Sequence, residues 1–202
     1  MDNFLETSPL FTPIFKDEKL SREDCQSLID LFERNKDFSK KGMVGTEARQ
    51  ETSSRNVEVI GFNHEFELYD YTEKDQYLRD TIVNWVIELN NETYKLNVDE
   101  IEDITFGKYS EGHFYIPHYD TFPAVGKRHR KISFSILLND DFEGGKLHFP
   151  GFGKEKDGSD KIPMLEAGQL CIFPSWLLHE VQPVTKGVRY AIFGWLEGPR
   201  IK

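Results

Sequence analysis

Cysteine is scarce in this 202-residue chain, with Cys25 and Cys171 as its only thiols. They lie far apart, in an acidic chain whose N-terminus shows no basic segment followed by an apolar one. They therefore read as reduced structural thiols in a cytoplasmic setting rather than as a disulfide framework. No stretch reaches 18 uninterrupted apolar residues, which removes a helical membrane span. Positive charge is also short: 25 Lys and Arg stand against 35 Asp and Glu, a formal net charge of −10. Such a chain does not hold a phosphate backbone or an anionic bilayer through its bulk field, so neither nucleic acid nor membrane is expected as a partner. Internal repeats and low-complexity tracts are missing as well.

What is present suits one domain with a sizeable core, including 16 Phe. Two helices are expected in the first half. Ser21, with Asp24 three residues on, caps a stripe of Cys25, Leu28, Ile29 and Phe32. Thr72 with Asp75 repeats the pattern before Leu78, Ile82, Trp85, Val86 and Leu89. Both stripes read as core, and Cys25 as a buried small apolar residue. Between them Ser39 to Arg55 is polar and glycine-dotted, either a solvated loop or a lid over a site.

From about Ile101 the texture changes to short β-rich runs: 101–109, 113–119, 131–138, 146–149, 168–173, 179–183 and 188–196, separated by turn residues. Many short strands at near-regular spacing predict a sandwich or jelly roll. With helices first and strands later, the expected fold is α+β, mainly β, a jelly-roll core buttressed by N-terminal helices.

The densest chemical signal is Tyr115-Ile116-Pro117-His118-Tyr119-Asp120. On a strand, residues 118 and 120 point to one face, so an imidazole and a carboxylate converge. His179 opens a later strand. Two histidines and a carboxylate on a β frame make the facial triad of non-haem Fe(II) sites, although His-x-Asp alone also fits an ordinary surface pair. Arg189 begins an inward series with Ala191, Phe193 and Trp195 at period two. A guanidinium buried there needs an anion, and its fork suits a carboxylate, from a neighbouring residue or from a ligand. The basic run Lys127-Arg128-His129-Arg130-Lys131 reads as a solvated loop end or as a rim that attracts an acidic peptide.

Taken together these motifs resemble the 2-oxoglutarate-dependent prolyl hydroxylases, the group of collagen-type and hypoxia-sensing enzymes. The resemblance rests on Tyr109, Gly112, Tyr115, His118 and Asp120, then on Arg130 to Asn139 and on Gly144-Gly145-x-Leu147-x-Phe149-Pro150. It continues through Phe173-Pro174-Ser175, His179-Glu180-Val181-Gln182-Pro183 and Arg189-Tyr190-Ala191-Ile192-x-x-Trp195. It covers roughly residues 101–197. It implies a double-stranded β-helix, cupin-like, with residues 1–100 as helical support and lid, and 101–197 as catalytic core. His118, Asp120 and His179 would hold Fe(II), and Arg189 would anchor the cosubstrate 2-oxoglutarate. Tyr109 and Tyr115 would stand nearby as hydroxyl donors, with Leu147 and Val181 as apolar walls.

Trp195 would face the substrate, and Arg49 and Arg55, on the lid, would engage it. One departure stands out: Leu137 occupies a position where relatives carry a cosubstrate-facing tyrosine, and Ser133 or Ser135 on the same face could replace it. The implied reaction consumes O2 and hydroxylates a C–H bond, with ascorbate supporting turnover. The substrate is expected to be a prolyl residue of a peptide or protein; a free amino acid or small metabolite is the alternative. A non-catalytic metal-binding jelly roll is the reading from another class, against which an intact triad and Arg189 argue.

Overall fold

The computed structural model describes residues 9–42, 53–62, 68, 70–121, 128–158, 161–162 and 164–199. Its chain order begins with strand β1 (Ile14–Lys19), helix α1 (Arg22–Arg34), and short strands β2 (Lys40–Lys41), β3 (Arg55–Asn56) and β4 (Glu58–Gly61), followed by helix α2 (Glu73–Glu92). The second half holds β5 (Glu100–Tyr109), β6 (Phe114–His118), β7 (Arg128–Leu137), β8 (Glu143–Gly144), β9 (Leu147–His148) and β10 (Gln169–Pro174). The chain closes with β11 (His179–Val181), β12 (Val184–Lys186) and β13 (Arg189–Pro199).

Both helices start where their caps predict. The Ser21 side chain accepts from the Asp24 amide at 3.0 Å. At α2 the cap is reciprocal: Thr72 Oγ1 accepts from the Asp75 amide, and the Asp75 carboxylate accepts from the Thr72 amide at 2.9 Å. Thr72→Ala is expected to cost about 1 kcal/mol. For a domain of this size that lowers the thermal midpoint by about 2–4 °C, readable in a thermal melt.

Among the described residues the strands form a major sheet in the order β1-β10-β7-β13-β5-β4-β2, a smaller sheet β3-β6-β11-β9, and the pair β12-β8. The strand pairings within these sheets are antiparallel. Strand alternation sorts the major sheet's side chains onto two faces. Ile132, Phe134 and Ile136 of β7, Leu170 and Ile172 of β10, and Ile192 and Leu196 of β13 join the helical core with Leu28, Phe32, Ile82 and Val86. The opposite face presents Leu137, Cys171 and Phe173, which pack with Leu147 and Val181 of the smaller sheet. The major sheet thus separates a helix-side core from an inter-sheet space, the arrangement of a helix-buttressed jelly roll.

The first hundred residues are more than helical support. β1 pairs with β10 and β4 with β5, which places N-terminal strands at both flanks of the major sheet. Such pairings span long stretches of chain, and β1 carries the charged run Lys16-Asp17-Glu18-Lys19, so no local alternation announces it. The stretch Ser39–Arg55 also differs from a single free loop. β2 pairs with β4, the Gly42 amide donates to the Val57 carbonyl, and Arg55 lies opposite Tyr115 in the β3–β6 pair. Its ends are therefore held in sheets; residues 43–52, with Arg49, lie outside the described residues.

Candidate active site

The inter-sheet space opens into a pocket with about 460 Å³ of space, part of it open to solvent. β6 brings His118 to it, and Asp120 follows two residues on, on the same side. His179 of β11 stands directly opposite His118 in the antiparallel register. The donor atoms of His118, Asp120 and His179 all lie within 4.8 Å of one another, the one group of this kind found among the described residues. His118 Nε2 is 3.4 Å from Asp120 Oδ1, and His179 Nε2 is 3.3 Å from Asp120 Oδ2.

The histidine tautomers follow from the other ring nitrogen. His118 Nδ1 meets the Ile116 carbonyl at 2.8 Å and His179 Nδ1 meets the Leu177 carbonyl at 2.9 Å. A carbonyl can only accept, so each Nδ1 carries a proton, and each ring turns its Nε2 toward the carboxylate. Burial lowers the His118 pKa, with Asp120 opposing, which favours the neutral imidazole that a metal requires. Burial alone would raise the Asp120 pKa; the charge and hydrogen bonds of His179 and His118 outweigh it and hold the carboxyl well below the usual carboxylate range. The three donors thus offer two imidazole nitrogens and one carboxylate, a set able to hold a divalent cation.

Arg189 lines the same cavity and is 2% exposed. Its guanidinium carbon sits 5.1 Å from the centre of the Tyr109 ring, the residue facing it across the β13–β5 pair. Burial depresses its pKa, and no carboxylate pairs with it among the described residues. Gly145, in a left-handed conformation (φ +59°), lets the chain pass close: a β-carbon there would meet Arg189 Cδ at 3.1 Å. Lys186, by contrast, is exposed and bound to Glu143 at 2.9 Å.

Tyr109, Tyr115, Leu147, Val181, Trp195 and Arg55 also line the cavity. Tyr115 is placed by more than its hydroxyl: its ring stacks on the His118 imidazole at 3.5 Å and 17°, and the Arg55 guanidinium carbon lies 4.8 Å from its ring centre. Burial pushes the Tyr115 phenol up to about 12, so it stays a donor at neutral pH. Phe173 and Phe193 complete the apolar lining; Phe173 packs edge-on against His179 at 4.6 Å. Their motif neighbours pointed to both positions, but a phenylalanine carries no chemical signature that marks a wall in advance.

Two expectations need correction. Ser133 is not free to replace the tyrosine absent at Leu137, because its hydroxyl donates to Asp120 Oδ2 at 2.7 Å. Ser135 lines the cavity and keeps that possibility. Nor does the basic run form an open positive rim. Arg128 pairs with Asp99, Glu100 and Glu197, Arg130 pairs with Glu102 and lies 3.8 Å over the Trp195 ring, and Lys131 donates to the Asn97 carbonyl. Lys127 lies outside the described residues. Acids from β5, from the residue before it and from β13 neutralise Arg128 and Arg130, a cancellation invisible in local sequence. His148 turns away from the cavity and bonds Glu180 at 2.7 Å.

Two histidines and one carboxylate on one face are the donor set found in non-haem Fe(II) oxygenases. Residues 104–197 match the family model of the 2OG-Fe(II) oxygenase superfamily, so this stretch of the chain is similar to that superfamily. A PKHD-type hydroxylase of Idiomarina loihiensis is 35% identical over 100 residues, 48% of this chain and 43% of that protein. A PKHD-type hydroxylase of Prochlorococcus marinus is 35% identical over 124 residues, 59% of this chain and 52% of that protein. The chain thus spans about half the length of the curated relatives it matches.

Among solved structures, a Pseudomonas putida prolyl-4-hydroxylase superposes with a TM-score of 0.67 at 21% identity, covering 98% of this chain and 96% of that one. A Trichoplax adhaerens prolyl hydroxylase, solved with a hypoxia-inducible-factor peptide fragment, gives 0.70 at 18% identity over 95% and 84%. These likenesses establish the fold. No described helix is long and apolar enough to cross a membrane.

Proposed function

We propose that this chain is an Fe(II)- and 2-oxoglutarate-dependent dioxygenase that hydroxylates a prolyl residue of a peptide or protein. The observation that carries the reading is the pairing, in one cavity, of the His118–Asp120–His179 cluster with a buried Arg189 that has no acidic partner among the described residues. A metal scaffold needs the first and has no use for the second. The donor set fits the metal: neutral imidazoles and a carboxylate suit Fe(II), whereas thiolates would favour zinc or iron–sulfur. Both cysteines are buried and unlinked, and burial lifts the Cys25 thiol to about 11. Unlinked thiols also support a cytoplasmic setting.

When bound, Fe(II) supplies the redox chemistry by which O2 oxidatively decarboxylates 2-oxoglutarate to succinate and CO2 and delivers the second oxygen atom to a substrate C–H bond. The chain's own part is positioning. His118 and His179 would offer Nε2 to the metal and Asp120 its charge, all from the wall of the one cavity. Arg189 pairs with the distal carboxylate of 2-oxoglutarate, with Tyr109 beside it, and Leu147 and Val181 wall the keto acid's methylene chain. Trp195, held by Arg130, and Phe193 face the substrate, and Arg55 stands above Tyr115 at the substrate side; Arg49 joins this reading from sequence alone. Ascorbate, by keeping the metal reduced, would support turnover. One core with contributions from both halves of the chain supports a single domain over 1–202.

The peptide substrate is inferred from the prolyl hydroxylase relatives. A panel of proline-containing peptides, free proline and small carboxylic acids, incubated with Fe(II), 2-oxoglutarate and ascorbate, is expected to show a gain of one oxygen on a peptide by mass spectrometry. Oxygen gain confined to a free amino acid or metabolite moves the substrate, not the reaction. Succinate formation with none of the candidates leaves the prolyl assignment without support.

A further inference from the structure

We propose that Ser133 and Ser175 are positioning residues that hold the Asp120 carboxylate so that it offers one oxygen to the metal. The proposal rests on the metal-centre reading above. Ser133 Oγ is 2.7 Å from Asp120 Oδ2 and 3.0 Å from Ser175 Oγ. A serine hydroxyl has one proton to give. The ionised carboxylate can only accept, so Ser133 spends its proton on Oδ2, and Ser175 must donate to Ser133. The result is a one-way chain, Ser175 to Ser133 to Asp120, in which each hydroxyl polarises the next.

All three groups are buried: Ser175 is 0% exposed, Ser133 1% and Asp120 6%. No bulk water competes, and an unmade bond there is costly. The frame is fixed from the backbone too. The Ser175 carbonyl accepts from the amides of Asp120 and Thr121, and the Ser175 amide donates to the Lys131 carbonyl. β7, the residue after β10 and the segment after β6 are thereby tied together at the carboxylate. With Oδ2 engaged, Oδ1, on the His118 side, keeps both lone pairs for a metal. One-oxygen attachment preserves the three adjacent positions that a chelating keto acid and O2 require. Two-oxygen attachment would take one of them.

The test is Co(II) titration of the metal-free, full-length protein, read by calorimetry and by the visible absorption of the bound ion. Ser133→Ala is expected to weaken Co(II) uptake about 10–100-fold, the size of a lost outer partner to a metal ligand, and to change the absorption envelope. Ser133→Thr, which keeps the hydroxyl, is expected to restore both, which a packing role alone would not do. Ser175→Ala, which leaves Ser133 able to donate, is expected to fall between. A Ser133→Ala protein with the parent's affinity and spectrum overturns the proposal. If Ser133→Ala does not fold, Ser175→Ala decides: unchanged uptake overturns the proposal and weakened uptake sustains it. A parent that takes up no Co(II) overturns the metal-centre reading itself.

Discussion

Asp120→Ala is expected to remove divalent metal binding and, with it, hydroxylation. The carboxylate is the one anion among the three donors, and its charge is what makes a site of two neutral imidazoles attractive to a cation in a buried cavity. The loss in affinity should exceed the roughly 10–100-fold typical of outer partners, because a ligand itself is gone. Folding should survive. Removing a buried carboxylate relieves its desolvation, and Ser133 and Ser175 keep each other as partners. Calorimetric titration with Mn(II) or Co(II), paired with a thermal melt of the metal-free protein, separates the two effects. Metal uptake equal to the parent's would sink the ligand assignment, since no other group of three such donors was found among the described residues.

Arg189→Ala is expected to leave metal binding intact and to raise the apparent Michaelis constant for 2-oxoglutarate by one to several orders of magnitude. Losing one partner of a desolvated charge pair costs about 2–5 kcal/mol, and each 1.4 kcal/mol is about a factor of ten. The Arg189 guanidinium carbon lies 5.1 Å from the Tyr109 ring centre, and the residue shares its cavity with Leu147 and Val181. Arg189→Lys keeps the charge but loses the planar two-point fork, so an intermediate constant is expected. Steady-state kinetics at saturating peptide measures both. An unchanged constant would fault the anchor; the alternative Lys186 is already occupied by Glu143 on the surface, and Arg200 lies outside the described residues.

Much of this was legible without coordinates because it is local. A cap depends on residues three apart, so Ser21 and Thr72 marked both helix starts. Side-chain direction on a strand has period two, so Arg189, Phe193 and Trp195 had to share a face; His118 ends β6, and Asp120 reaches the same cavity from beyond the strand. The β-rich second half declared its strands for the same reason, whereas β1 and β4 borrow their order from partners far along the chain.

Local chain geometry therefore settles which residues could do chemistry and how those on strands point. What they meet is settled by pairings between distant strands. His179 reaches the cluster because antiparallel register sets it opposite His118, and a slip of one residue would turn it to the other face. Ser133 and Ser175, 42 positions apart, find each other and Asp120 because β7 and β10 are neighbours. The same closure brought Glu102 to Arg130 and Asp99 to Arg128, cancelling a basic run that looked open along the chain. Direction is written in backbone geometry over two or three residues; proximity is written in strand pairing and burial, which join residues that the sequence keeps far apart.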